Sequence, residues 1–506
     1  MLTDMLEYLE RTVRRVPEKI AFCDDREKLT FGELEEASRR IGTALAAEGQ
    51  RKNVAILMNS RSICNIPAIY GALYAGWAYA PLDISMPGEQ LFRILQRLEP
   101  GAILADEKGE KALLNLPETG VPVIRFWDAV SGQQDEERLR QIREKRSALD
   151  SMSILYTSGS TGIPKGSVQT EGAYLHWTEA TIRVYGFDET VTFGNQSPFF
   201  YANSIIDIFP PVALGATVYL LPAGILNFPK KLIECLNEHR ITELTMTPSS
   251  FIGIANAGVL ERDSLPWLRY GIMSGESMPW QPLKVWMEAA TSADWWHFYG
   301  STEMFSVAVG KVCPQNCAGE RLPVGKPFSG VHLLFLDEQG GEASPGMPGE
   351  MLVSSPWVSV GYHRDDARTG AAWVTDPRNQ GDGERFYRSG DIGYMREDGQ
   401  LMVLGRRDTQ IKHRGYRMEL GEVEAALRSI PGWRDGCVLF DGRSGKVGCF
   451  FTGELDEKEV KRELKKRIVH YMMPDIFIHR EELPYTANMK LDRARLRSIM
   501  EEQTYA

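Results

Sequence analysis

Strand-like and helix-like patterns alternate through roughly the first four hundred residues, and this alternation is what most constrains the fold. Residues 30–45 read as a helix capped by Thr30, because Phe31, Leu34, Ala37, Ile41 and Leu45 fall on one face. Residues 53–58 read as a short strand and residues 62–75 as a helix. Strand-like runs recur at 101–105, 121–126, 216–221 and 242–247. Strands separated by helices need crossover connections, which points to α/β sheets. The charge-free stretch between Arg61 and Asp83 is nearly long enough to cross a bilayer. Asn65, Pro67, Gly71, Gly76 and Pro81 interrupt it, so it reads as a buried helix feeding a strand, with no membrane insertion. The polar run 133–145 reads as a solvated helix.

After about residue 320 the texture changes. Short strands at 333–336 and 350–353, broken by Ser344-Pro-Gly346 and Pro348-Gly349, predict a small antiparallel, barrel-like subdomain. A second break follows Gly405-Arg-Arg-Asp408. Residues 409–506 carry eighteen Lys and Arg against sixteen Asp and Glu, a net +2 in a chain of −10, so the preceding part stands at −12. The expectation is an α/β fold: a large N-terminal lobe of two α/β subdomains plus the barrel-like one, then a small mobile α+β lobe. The boundaries are 1–407 and 408–506. A chain of 506 residues exceeds what one core usually organises.

The acidic balance argues against a general nucleic-acid binder, which needs Lys and Arg for phosphate contacts. Residues 1–15 include Asp4, Glu7, Glu10 and Arg11, unlike the basic start and apolar core of a secretory signal. Seven scattered cysteines read as free thiols in a reducing cytoplasm. Cys313 and Cys317 are close together but lack a second ligand pair at metal spacing.

The segment from Ile154 to Gly166 carries the most chemical information. Thr157, Ser158, Ser160 and Thr161 supply hydroxyls, and Gly159, Gly162 and Gly166 leave backbone N–H groups open to an anion. The spacing is not that of a P-loop. Thr157-Ser-Gly-Ser-Thr-Gly-Ile-Pro-Lys-Gly166 resembles the phosphate loop of the adenylate-forming superfamily, which includes acyl-CoA synthetases, luciferases and nonribosomal-peptide adenylation domains. Further motifs of that family follow in order: Phe298-Tyr-Gly-Ser-Thr-Glu303, Tyr387-Arg-Ser-Gly-Asp-Ile-Gly393 and Gly405-Arg-Arg-Asp-Thr-Gln-Ile-Lys412. They end with Arg414-Gly-Tyr-Arg-Met-Glu-Leu-Gly-Glu-Val-Glu424 and Pro484-Tyr-Thr-Ala-Asn-Met-Lys490. The texture is most similar to stand-alone amino-acid adenylation domains and D-alanine–carrier protein ligases.

The resemblance implies ATP-dependent adenylation of a small carboxylic acid, giving acyl-AMP and pyrophosphate. Lys490 would be the catalytic cation between carboxylate and α-phosphate, Thr302 would bond the α-phosphate, and Glu303 would hold Mg²⁺. Lys165 and the glycine-rich loop would face the phosphates. Tyr299 would stack on adenine, with Gly275 and Glu276 on its other side and Phe298, Gly300 and Ser301 beside it. Asp391 would accept from the ribose hydroxyls, supported by Arg406. Asp408 would be a hinge, turning the small lobe between a pose with Lys490 inside and a thioester-forming pose with the Gly415-Tyr416 loop inside.

By the same resemblance the acid pocket would be lined by Tyr201, Ala202, Asn203, Ile206 and Thr245. Ile272, Ser274, Phe298, Ser306 and Val307 would complete it. Amino-acid-activating relatives carry a Phe-Asp pair where this chain has Tyr201 and Ala202, so no anion stands at Ala202. Either the substrate lacks an ordinary α-ammonium, or its amine is met elsewhere, by Asp207 or by water. No carrier domain is visible in the sequence, so the expected acceptor is a separate phosphopantetheinyl carrier protein. Free coenzyme A is the alternative, and a non-catalytic nucleotide-binding protein is the remaining reading. Lys461, Arg462, Lys465, Lys466 and Arg467 form either a patch that steers an acidic carrier or one solvated helix face.

Overall fold

A computed structural model describes residues 4–49, 53–157, 164–276, 278–313, 322–376, 378, 383–407, 410–484 and 491–505. The helix read at 30–45 spans Phe31–Ala47, and its start is chemically defined. Thr30 accepts from the Glu33 amide while the Glu33 carboxylate reaches back to the Thr30 amide, so two orphan donors are satisfied together. The charge-free run forms the wholly buried helix Asn65–Tyr74, followed by the strand Ala78–Pro81. Among the described residues no helix is long and apolar enough to cross a membrane.

Two large sheets dominate the first four hundred residues. A seven-stranded sheet has a parallel centre containing Ser151–Thr157, Ala78–Pro81, Asn53–Leu57 and Ala102–Ala105, in that spatial order. Its antiparallel edge is made by Lys165–Thr170 and Gly361–Tyr362. A nine-stranded sheet runs Tyr270–Ser274 parallel to both Glu243–Met246 and Asp294–Ser301, then turns back antiparallel into Phe305–Lys311. The helix Glu171–Tyr185 joins the two sheets. Its Tyr174 hydroxyl meets Tyr79 at 2.8 Å and Ser153 at 2.9 Å in one sheet, while its Trp177 indole donates to Ser306 Oγ at 2.8 Å in the other. Thr170 caps the start of this helix, and Gly186, at φ 69°, ends it in the left-handed conformation that glycine adopts without a Cβ penalty.

The short strands after residue 320 form a five-stranded antiparallel sheet around the long strand Arg385–Met395, which pairs with both Gly349–Ser354 and Leu401–Arg406. Beyond it, Trp433–Asp441, Lys446–Gly453 and Ile476–His479 make a separate three-stranded sheet. Met418, Val423, Leu427, Phe451, Val460 and Leu464 pack in one apolar cluster of this region, and Cys437, Phe450, Leu496 and Met500 in another. The expected α/β lobe and small α+β lobe are therefore both present. The basic run lies on and after the helix Glu457–Leu464, where Lys461 pairs with Glu457 at 2.5 Å and both Lys466 and Arg467 pair with Glu463. Those intrahelical pairs favour the solvated-face reading over a steering patch.

The helices Phe31–Ala47 and Asn65–Tyr74 meet with almost no room between their backbones. A Cβ on Gly71 would lie 2.5 Å from Ile41 Cγ2, and one on Gly42 would lie 2.6 Å from Tyr74 Cβ. Gly71→Val must separate the pair, and overpacking of this kind costs about 1–3 kcal/mol. Urea unfolding should show a lower midpoint with an unchanged slope; an unchanged midpoint would mean that the contact is not tight.

Candidate functional site

The nine-stranded sheet supplies the floor of a cleft of about 870 Å³. Its strand Asp294–Ser301 ends in a tight reversal, with a register shift between Tyr299 and Gly300. A Cβ on Gly300 would sit 1.8 Å from the Phe305 carbonyl oxygen, so only glycine fits there. Phe305 itself has φ 49°, a left-handed conformation that is strained for an aromatic residue. The reversal presents Gly300, Ser301 and Thr302 to the cleft and tucks Glu303 behind it.

One carboxylate joins this strand to the five-stranded sheet. Asp391 accepts from the buried Tyr299 phenol, and its other oxygen accepts from Arg406 Nη1 at 3.1 Å. Arg406 also donates to the Ser389 carbonyl at 2.8 Å, which fixes the guanidinium. Burial, and then the neighbouring Asp391 charge, push the Tyr299 phenol well above its ordinary pKa, so it stays a donor.

Behind Thr302 lies a buried ion pair. Lys165 Nζ is 3.2 Å from Glu303 Oε1, and the Tyr362 hydroxyl donates to the same oxygen at 2.9 Å. Lys165 also donates to that hydroxyl at 3.0 Å. Glu303 is completely buried, and breaking a buried ion pair by removing one partner typically costs about 3–5 kcal/mol. Among the described residues no group of three or more His, Cys, Asp or Glu could hold a metal.

The 3₁₀ turn Ala202–Asp207 forms the opposite wall. Asn203 accepts from Ser274 Oγ at 3.2 Å, and its Nδ2 has no partner among the described residues. Trp177, Tyr185, Phe298 and Phe305 give this end of the cleft an aromatic lining. The hairpin of Gln410–His413 and Tyr416–Glu419 approaches the mouth, and Gln410, Ile411 and Lys412 line it. The Gly415 amide donates to Glu276 Oε1 at 2.9 Å, and Tyr201 donates to the Gly415 carbonyl at 2.5 Å. Gly415 has φ 83°, and a Cβ there would meet Thr247 Cγ2 at 2.4 Å. Tyr416 sits between Tyr201, at 5.6 Å, and Tyr471, at 4.2 Å between ring centroids. The Gly415–Tyr416 loop is thus seated against Tyr201, Thr247 and Glu276.

Most residues singled out in the sequence converge here. Tyr201, Ala202, Asn203, Ile206, Ser274, Gly275, Phe298 and Ser306 line the cleft, as do Gly300, Ser301, Thr302, Asp391 and Arg406. Ile272 and Val307 lie in the apolar core, Thr245 is buried beside Glu243, and the Thr157 hydroxyl is buried without a partner among the described residues. Glu276 is held by Ser249 and Gly415. Ser158, Gly159, Ser160, Thr161, Gly162, Asp408 and Lys490 lie outside the described residues.

The residue types alone did not disclose Trp177, Tyr185, Phe305 or Lys412. Lys412 ends the motif that begins at Gly405, with no role implied for it there; Trp177 and Tyr185 share the helical spacing of ordinary core residues. Nor did they disclose a buried pair of acids. Asp207 and Glu243 are both buried, each with one oxygen lacking a partner among the described residues. Asn195 donates to Asp207 at 2.8 Å and Thr245 to Glu243 at 2.5 Å. Desolvation pushes Asp207 up to about 7; desolvation, then the Asp207 charge, raises Glu243 well above the carboxylate range.

A model of the AMP-binding enzyme family matches residues 9–363. A D-alanine–D-alanyl carrier protein ligase of Bacillus cytotoxicus is 30% identical over 509 residues, covering 98% of this chain and 99% of that protein. A plipastatin synthase component of Bacillus subtilis is 30% identical over 494 residues, which is 96% of this chain but 13% of that protein. The adenylation domain AlmE of Vibrio cholerae, solved with glycyl-adenosine-5′-phosphate, superposes with a TM-score of 0.85 at 21% identity, covering 99% of this chain and 98% of that one. That last likeness concerns the fold.

The acid pair makes a prediction about stability. Folded-state pKa values raised above the unfolded ones mean that the folded chain holds more protons between pH ~4 and about 7, so stability falls as pH rises through that window. Glu243→Gln should flatten the dependence of the urea midpoint on pH above about 4, because the variant no longer carries that raised carboxyl. Identical slopes for both proteins would contradict the raised values.

Proposed function

Because this chain belongs to the AMP-binding enzyme family, we propose that it activates a small carboxylic acid with ATP and hands the acyl group to the phosphopantetheine thiol of a separate carrier protein. Enzymes of this family use ATP. The observation that carries the reading is one continuous cleft, which joins Tyr201, Ala202, Asn203, Ile205, Ile206 and Ser274, the acid-facing residues of this reading, to Gly300–Thr302, Asp391 and Arg406, its nucleotide-facing ones. Relatives that load a carrier protein and align along nearly the whole chain support the acceptor.

In the first step a carboxylate oxygen attacks the α-phosphorus of ATP and the bond to pyrophosphate breaks, giving acyl-AMP. Two anions must meet, so the barrier is electrostatic. We assign Lys490 to the space between carboxylate and α-phosphate, with Thr302 donating to the phosphate. Asp391 would take the ribose hydroxyls, its orientation fixed by Arg406 and Tyr299. Glu303 is a buried carboxylate held by Lys165 and Tyr362, and Mg²⁺ takes one or two protein carboxylates, completing its shell with phosphate oxygens and water. Glu303 would hold the ion, whose charge would offset the phosphates. In the second step the thiol sulfur attacks the acyl carbon and AMP leaves.

Residues 1–407 are the adenylating unit in this reading, and 408–506 turn about Asp408 between the two steps. The Gly415 loop seated against Thr247 and Glu276 suits the second step, with Lys412 at the cleft.

Acid-dependent exchange of pyrophosphate into ATP tests the first step. Lys490→Ala should lower exchange by about a hundredfold or more while ATP binding persists; undiminished exchange removes Lys490 from its role. Gly415→Val tests the second, because the added side chain clashes with Thr247 only when the loop is seated. Acyl transfer to a holo-carrier protein should fall by about tenfold or more with exchange retained. Equal loss of both steps would deny the loop a separate role, and faster wild-type transfer to free coenzyme A than to any holo-carrier would replace the proposed acceptor.

A further inference from the structure

The charges around the cleft restrict which acid it can take. Among the described residues that line it, the charged ones are Asp391, Arg406 and Lys412. Asp391 is the one carboxylate of that set, and it is held by Arg406 and Tyr299. Lys412 stands near Gly275, where a Cβ would lie 3.9 Å from its Nζ, and its charge adds to burial in keeping the neighbouring His297 below the usual histidine range. An ammonium placed between Ala202 and Ser274 would lose its water without gaining a carboxylate, a costly exchange.

The buried acids do not fill that gap. Neither Asp207 nor Glu243 lines the cleft. Tyr185, which does line it, is the phenol that feels the Glu243 charge, so an aromatic ring stands on the cleft side of the pair.

The lining also states what the site wants. Trp177, Tyr185, Phe298 and Phe305 surround an apolar body. Asn203 has spent its oxygen on Ser274, and its Nδ2 donor lacks a partner among the described residues. A buried donor without an acceptor is unfavourable; Asn203 lines the cleft, and a turn of its amide would bring this donor to an oxygen on the ligand.

Resting on the adenylation reading, we propose that the activated acid carries no ammonium group: it is a small 2-hydroxy, 2-oxo or aryl carboxylic acid with an apolar body and an oxygen that accepts from Asn203.

Pyrophosphate exchange over sets that hold the side chain constant and vary the α-substituent tests this. Leucine, 2-hydroxy-4-methylpentanoate and 4-methyl-2-oxopentanoate form one set; phenylalanine, phenyllactate and phenylpyruvate another; alanine, lactate and pyruvate a third. Both enantiomers are used where they exist, with benzoate, salicylate and β-alanine added. At least one ammonium-free acid should exceed every amino acid in kcat/KM by about a hundredfold. Ala202→Asp, which supplies the missing anion, should narrow or reverse that ratio within a set by about tenfold or more. Asn203→Leu should raise KM for the preferred acid and leave KM for ATP unchanged. An amino acid as the best wild-type substrate would overturn the inference while leaving adenylation intact. An unchanged preference in Ala202→Asp would overturn the argument from the missing counter-ion. Absence of exchange with every acid, ATP still binding, would overturn the adenylation reading and this inference with it.

Discussion

Asp391 reaches from the small antiparallel sheet to the Tyr299 phenol on the nine-stranded sheet, while Arg406 holds its second oxygen from the neighbouring strand. This link sets the distance between two sheets that are far apart in sequence, and the cleft is the space it leaves. A charge-assisted hydrogen bond in a partly buried setting is strong and directional, which suits a group that must hold position before a ligand arrives. The strained reversal at Gly300–Phe305 depends on the same arrangement, since it is anchored by the strand that carries Tyr299.

Charge is distributed around this link with a clear division. The end of the cleft proposed for the nucleotide holds Arg406, with Lys412 beside Gly275 and Lys165 paired to Glu303 behind Thr302. The end proposed for the acid is aromatic, with amide and hydroxyl groups and no carboxylate among its described lining. An overall charge of −10 therefore does not prevent the binding of a polyanion, because a few placed cations act at close range where bulk charge is screened. On the small lobe, the loop at Gly415 packs beside the cleft. Its amide donates to Glu276 and its carbonyl accepts from Tyr201, at a position where any side chain would collide with Thr247.

Much of this was legible in the residues, and the exceptions have physical causes. The Thr30 cap, the buried helix before Ala78 and the run of parallel strands follow from capping chemistry and apolar periodicity. Strand ends fall one or two residues inside their patterns, as at Thr217–Leu220, because apolar side chains continue past the last ladder hydrogen bond. Motif resemblance brought Asp391, Arg406 and Thr302 to one place. It gave no sign of Trp177 and Tyr185, whose helical spacing also describes ordinary core packing. Glu243 was equally hidden: a strand pattern records that a position is inward-facing, and it does not record which buried partner awaits there. Tertiary pairing of Asp207 with Glu243 is a property of the folded sheet.

The central claim is that a carboxylate oxygen of the substrate bonds to the α-phosphorus of ATP. Oxygen-isotope transfer tests it most directly, with the preferred acid labelled with ¹⁸O in its carboxylate and turned over to the thioester. The account predicts AMP carrying one ¹⁸O atom, since the carbon–oxygen bond breaks when the thiol attacks. Unlabelled AMP, or ADP in its place, would contradict it.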